Sequence, residues 1–85
     1  MKKYFTKEYN EKRIKKEMEL QEKYIKEKKN NYETIISEGG YILIFYYDNG
    51  KMKTDIYDFE IDKCNFIGTF DYEEGKNFIQ KNRKF

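Results

Sequence analysis

The seven residues Tyr41-Ile-Leu-Ile-Phe-Tyr-Tyr47 form the longest uninterrupted apolar run in the chain. Gly39-Gly40 precedes the run and Asp48-Asn49-Gly50 follows it. A short segment rich in Ile and aromatic rings, bounded by turn residues, reads as a strand. Both of its faces are apolar, so it must lie inside a sheet with something packed on each side. Asn49-Gly50 tolerates the positive φ of a type I′ turn, so the segment from 51 to about 59 returns antiparallel. In that segment Met52, Thr54 and Ile56 share one face. The apolar phase then passes to Tyr57, Phe59 and Ile61, which predicts a bulge or break at Tyr57. Residues 32–37 are β-branched and aromatic enough for a strand before the glycine turn. A last strand, about 64–70, carries Phe66 and Phe70.

Helices flank this meander. No Gly or Pro interrupts residues 7 to about 31. Thr6 is a suitable N-cap and Glu8 sits in the positive first turn. On a helical wheel Ile14, Met18, Ile25 and Tyr32 fall within about 40° of one another at 100° per residue. Tyr9, Leu20 and Tyr24 form a second apolar group beside them. Glu11–Lys15, Glu19–Lys23 and Glu22–Lys26 are i,i+4 pairs in the favoured order. A helix of this length is about 37 Å long, and a globule of this mass about 30 Å across, so the helix is expected to overhang the sheet. Asp71 and Glu74 supply a capping-box pattern for a second helix over 72–82. Gly75 inside that helix costs about 1 kcal/mol against Ala. The fold class is therefore α+β: a long N-terminal helix, a three- to four-stranded antiparallel meander and a short C-terminal helix, in one small domain over 1–85.

Composition narrows the chemistry. The chain has no His, one Cys (Cys64) and one Ser (Ser37). A hydroxyl or thiol nucleophile therefore has no imidazole base, and a Cys/His zinc site cannot form within the chain. Asp58, Glu60 and Asp62 share a strand face on which Mg²⁺ or Ca²⁺ could sit, but a solvated acidic strand face and loop accounts for them better. Glu74-Gly75-Lys76 has the Glu-x-Lys spacing of some metal nucleases, but it opens a helix where those residues belong on strands. No phosphate-cradling glycine loop is present. No enzyme activity, cofactor or metal is expected.

Net charge is +2, which argues against a strong nucleic-acid binder. The Lys-rich helix face, with Lys15, Lys16, Lys23, Lys26 and Lys29, is the one candidate surface for DNA or RNA, and acidic residues interrupt it. Lys, Asn, Ile, Tyr and Phe together supply 49 of 85 residues. These have AT-rich codons, whereas the missing Ala, Val and Pro do not. The coding sequence thus fits a low-GC bacterium, or one of its phages or plasmids, and the Lys excess follows in part from that bias.

Nine Tyr exceed what a thin core hides, and Tyr is favoured at protein interfaces. Tyr46, Tyr47, Tyr57 and Tyr72 are candidates for one patch near a sheet edge. Asp48, Asp55, Asp58, Glu60 and Asp62 would rim it and imitate nucleic-acid phosphates to a basic target. The helix stripe is a second candidate, as a homodimer seam, with Gln21 and Lys28 arguing against a long coiled coil. The lone Cys64 suits a reducing compartment. Met1-Lys2-Lys3 opens no apolar leader, and no run approaches the roughly 20 apolar residues of a membrane span, so a cytoplasmic location is expected. These features lead to the expectation of a small non-enzymatic protein-binding module. It would be a phage- or mobile-element inhibitor of a host defence enzyme, of the anti-CRISPR kind, acting by steric occlusion. A nucleic-acid-binding regulator using the Lys-rich helix is the alternative.

Overall fold

Thr6 opens the first helix as its sequence position predicts: its Oγ1 accepts the Tyr9 N–H at 3.0 Å. Helix α1 runs over Lys7–Lys28 and tightens into a 3₁₀ turn at Lys29–Asn31. The computed structural model describes residues 4–85; Met1-Lys2-Lys3, where a leader would be sought, lies outside the described residues. Four strands follow: β1 (Tyr32–Glu38), β2 (Tyr41–Asp48), β3 (Lys51–Glu60) and β4 (Lys63–Asp71). They pair antiparallel in the order β1-β2-β3-β4. Helix α2 (Tyr72–Asn82) ends the sequence of elements. The fold is α+β with a meander sheet, as the sequence predicts.

Asn49 and Gly50 both take positive φ, 53° and 79°, as a two-residue β2–β3 hairpin of this twist requires. The apolar run of β2 is buried on both sides because a helix covers each face. Ile42, Ile44 and Tyr46 face α1 and pack with Tyr9, Leu20, Tyr24 and Phe59. Tyr41 and Leu43 face α2 and pack with Ile56 and Ile79.

The phase change at Tyr57 has a different cause from the one the sequence implies. Strand β3 is continuous. Thr54 and Ile56 serve the α2 face, while Tyr57 and Phe59 serve the α1 face. The bulge does occur at this point, but its extra residue, Ile67, lies on β4, between Gly68 opposite Ile56 and Phe66 opposite Tyr57. An extra residue reverses side-chain parity. Phe66 therefore meets the Tyr57 ring at 5.3 Å on the α1 side, and Phe70 meets Phe78 at 5.3 Å on the α2 side.

Two expectations about α1 are corrected. The helix does not hang free. The molecule is elongated, 41 × 27 × 16 Å, and the ten residues of β3 extend about 33 Å, a match for α1. Tyr9 near one end of α1 and Tyr24 near the other are both buried. The face that seats α1 is also not the strongest stripe of the helical wheel. Tyr9, Leu20 and Tyr24 face the sheet, whereas Ile14, Met18 and Ile25 stay 48, 62 and 47% exposed. The sheet presents Asp55 and Tyr57 to the Tyr24 hydroxyl, and this favours the more polar group of the two.

Gly75 explains itself by contact. A Cβ there would lie 3.3 Å from Thr54 Cβ, so α2 rests directly on β3 at this point. The capping box of α2 is closed, with the Asp71 N–H donating to Glu74 Oε1 at 3.1 Å. Beyond α2 the chain lies along the β1–β2 turn, where the Lys84 N–H donates to Gly39 O at 2.9 Å. A side chain on Gly40 would strike Lys84 Cδ at 2.7 Å.

Candidate interaction surface

Of the residues expected in one Tyr/Asp patch, the sheet separates most by face. Tyr46 and Asp55 point toward α1 and are only 5 and 6% exposed. The Asp55 carboxylate accepts hydrogen bonds from Tyr24 OH, from Tyr46 OH at 2.8 Å and from Thr69 Oγ1 at 2.7 Å. Tyr57 OH lies 3.0 Å from Tyr24 OH. Tyr24 gives its single proton to Asp55, so Tyr57 donates to Tyr24. A buried carboxylate is tolerated when donors surround it, and here three hydroxyls tie α1, β2 and β4 to the centre of β3. Burial, with the Asp55 bond adding to it, raises the Tyr24 hydroxyl far above the ordinary tyrosine value. The same causes push Tyr46 up to about 12. Tyr46 and Asp55 are a structural centre in this fold, and they offer a partner almost no surface.

Asp58 and Glu60 do share a strand face, and an ammonium stands between them. Lys84 Nζ donates to Asp58 Oδ1, to Glu60 Oε2 at 2.7 Å and to Phe59 O at 3.3 Å. Burial opposes the charge on Lys84, but the two carboxylates outweigh it and raise its pKa. Asp62 is exposed in the β3–β4 turn. No cluster of three or more metal-ligating side chains suited to an ion occurs among the described residues. Arg13 reaches Glu17 Oε2 at 2.7 Å, and Ser37 Oγ donates to the same carboxylate, fastening α1 to β1. Cys64 is half-buried, and burial pushes its thiol up, away from the thiolate form that reacts.

The lysine surface is similarly divided. Lys15, Lys23, Lys26 and Lys29 are exposed, and Lys16 is partly covered, 3.3 Å from Glu19 Oε1. Lys15 and Lys16 line a groove toward the β3–β4 turn with Lys12 and Lys63, but Glu19, Glu60 and Asp62 line it too. The groove has no single sign of charge. No helix among the described residues is long and apolar enough to cross a membrane.

The surface that remains open is on the α2 side. Helix α2 has 11 residues and packs over β3 and β4. It also covers Tyr41 and Leu43 of β2, and leaves β1 and the Tyr47 end of β2 uncovered on that face. Ile36 of β1 is 40% exposed there, and so is Tyr47 at the end of β2. Tyr72 at the start of α2 packs its ring 6.0 Å from Phe45. Between them runs a cleft of about 270 Å³, floored by Leu43 and Phe45 and walled by Ile36, Tyr72 and Ile79. Lys76, Gln80 and Glu38 line its rim. Alongside it β1 is an edge strand. Tyr47 and Tyr72 were expected at the surface, and Asp48 lies beside Tyr47 in the exposed hairpin. Ile36 lies outside the patch that the sequence points to; its signal is parity, since it alternates with Ile35 and an 11-residue helix, about 16 Å long, cannot roof a four-stranded face.

Compared with family models, curated proteins and solved structures, the chain finds no match.

Proposed function

We propose that this chain is a small, non-enzymatic protein-binding module, and that its binding surface is the exposed face of β1 and the adjoining cleft beside α2. One observation carries the reading: Ile36 and Tyr72 are large, exposed and wall a cleft floored by Leu43 and Phe45, next to the edge strand β1, with Tyr47 exposed on the same sheet face. Exposed apolar side chains gathered in this way mark binding surfaces. A free edge adds main-chain hydrogen bonds to what side chains offer a partner. The side-chain chemistry supports the reading from the other side. Ser37 is engaged by Glu17, the Cys64 thiol is raised by burial, and Lys84 stands between Asp58 and Glu60.

The finer reading is an inhibitor encoded by a phage or other mobile element, of the anti-CRISPR type. It would occlude a functional site of a host defence enzyme by bulk. The AT-rich codon signature, the small size and the Tyr-bearing surface support it. The test is phage plating on a low-GC bacterial host with an active CRISPR or restriction system, with and without the chain. The expected result is restored plating, lost when Ile36→Lys and Tyr72→Lys are introduced together. Plating that stays low in each defence background would overturn the inhibitor reading.

A further inference from the structure

The face of α1 turned away from the sheet carries its own apolar row. Ile14, Met18 and Ile25 are each about half exposed or more. At 100° per residue their mean direction lies about 130° around the helix from that of Tyr9, Leu20 and Tyr24. Nothing among the described residues covers them. With Gln21 between Met18 and Ile25, the row has the alternating four-three spacing of a helix-pair seam. We infer that this row is the contact between two copies of this chain, with the two α1 helices packed antiparallel.

Charge selects both the occupant and its direction. In an antiparallel pair with the two-fold axis at the height of Leu20, Ile14 faces Ile25 of the second copy and Met18 faces Gln21. Lys15, flanking the seam, lies next to Glu22 of the second copy, and the symmetry makes this pair twice. A parallel pair instead sets Glu11 against Glu11, which is repulsive, and leaves Lys15 and Glu22 apart. The same sequence that resists a parallel coiled coil is therefore complementary to itself when reversed. The seam from Glu11 to Lys28 is about 26 Å long. Because it is one helix wide, the buried area falls at the small end for stable complexes, so association is weak and concentration-dependent. Each sheet lies on the far side of its own helix, and the α2-side cleft stays open in the pair.

Sedimentation equilibrium of the reduced protein tests this over about 10 µM to 1 mM, the range of weak association. The expected mass rises from 10.6 kDa toward twice that value. Glu22→Lys sets two lysine pairs in opposition and weakens association about tenfold, the effect of reversing two exposed ion pairs. Adding Lys15→Glu to Glu22→Lys restores it to within about threefold of the wild type. In a parallel pair, where Lys15 and Glu22 do not meet, Glu22→Lys would not weaken association. A monomer at every concentration, or association of Glu22→Lys as tight as the wild type or tighter, overturns the proposal. The first of those results would leave the row to a different protein. Circular dichroism confirms that the variants, all at exposed positions, keep their helix content.

Discussion

Tyr46 donates to Asp55 Oδ1 at 2.8 Å from the neighbouring strand, with both side chains almost wholly buried. Tyr24 donates to the other carboxylate oxygen from α1. One acidic side chain in the middle of β3 thus fixes the helix against the sheet. Removing it strands three hydroxyls at once. Asp55→Ala is expected to lower stability by about 2–4 kcal/mol, in line with breaking a buried hydrogen-bonded charge. Asp55→Asn keeps an accepting oxygen and should cost less. Urea unfolding followed by circular dichroism measures both.

The raised tyrosines make an alkaline prediction. Unfolded tyrosines ionise near pH 10, whereas Tyr46 in the fold is pushed up to about 12 and Tyr24 is raised as well. Above pH 10 the unfolded chain therefore holds fewer protons than the folded one, and stability falls with pH. The contribution is intact below pH 10 and is lost as pH rises through the folded value. Urea midpoints between pH 8 and 12 should decline, and Tyr24→Phe with Tyr46→Phe should flatten the decline. An unchanged slope in that double variant would remove the tyrosines as its cause.

How much of this could be read from the residues is uneven, and the reasons are physical. The strands and helices were legible because β2 is apolar on both faces, Asn49-Gly50 has one favoured use, and Asp71 with Glu74 closes a box. The seating of α1 was not. Periodicity ranks stripes by apolarity, and the more apolar stripe is the exposed one. The sheet offers Asp55, Tyr46 and Tyr57 as polar partners, which suits Tyr24 and not Ile25. The Asp55 cluster was hidden for the same reason, since an acid in a strand reads as a solvent-facing rim residue until its partners are known. Lys84 lies 24 residues from Glu60 in sequence, and no local pattern joins them.

Thr54 and Gly75 give a paired prediction. Thr54 is fully buried, and its Oγ1 has no hydrogen-bond partner. Thr54→Val, nearly the same shape, should raise stability by about 1 kcal/mol by removing an unsatisfied hydroxyl. Gly75→Ala gains about 1 kcal/mol of helix propensity. It also brings a methyl to 3.3 Å from Thr54 Cβ, with no flexible stem to yield. The contact should win, with a net loss of about 1 kcal/mol, the cost of modest overpacking. Thermal melts of the two single variants should therefore move in opposite directions.

Lys84 is the counter-charge of Asp58 and Glu60. Lys84→Met leaves two neighbouring carboxylates without it and should cost about 1–2 kcal/mol, a reduced figure because the cluster is only part-buried. Because the carboxylates raise the Lys84 pKa, its contribution is intact below the ordinary lysine value and is lost as pH rises through the folded value, so the deficit should shrink in strong alkali. Melting temperatures of wild type and variant at pH 7 and about pH 11.5 test this. An equal deficit at both values would contradict it.

The exposed face of β1 with the cleft beside α2 is the surface proposed to bind another protein. Quantitative co-purification from the lysate of a low-GC bacterial host measures it most directly, using the wild type, Ile36→Lys with Tyr72→Lys, and a distal Lys23→Glu control on α1. A stoichiometric partner is expected with the wild type and the control, and at least a tenfold loss with the double variant while its fold is retained. Equal capture by the double variant, or no stable partner for the wild type, would contradict it.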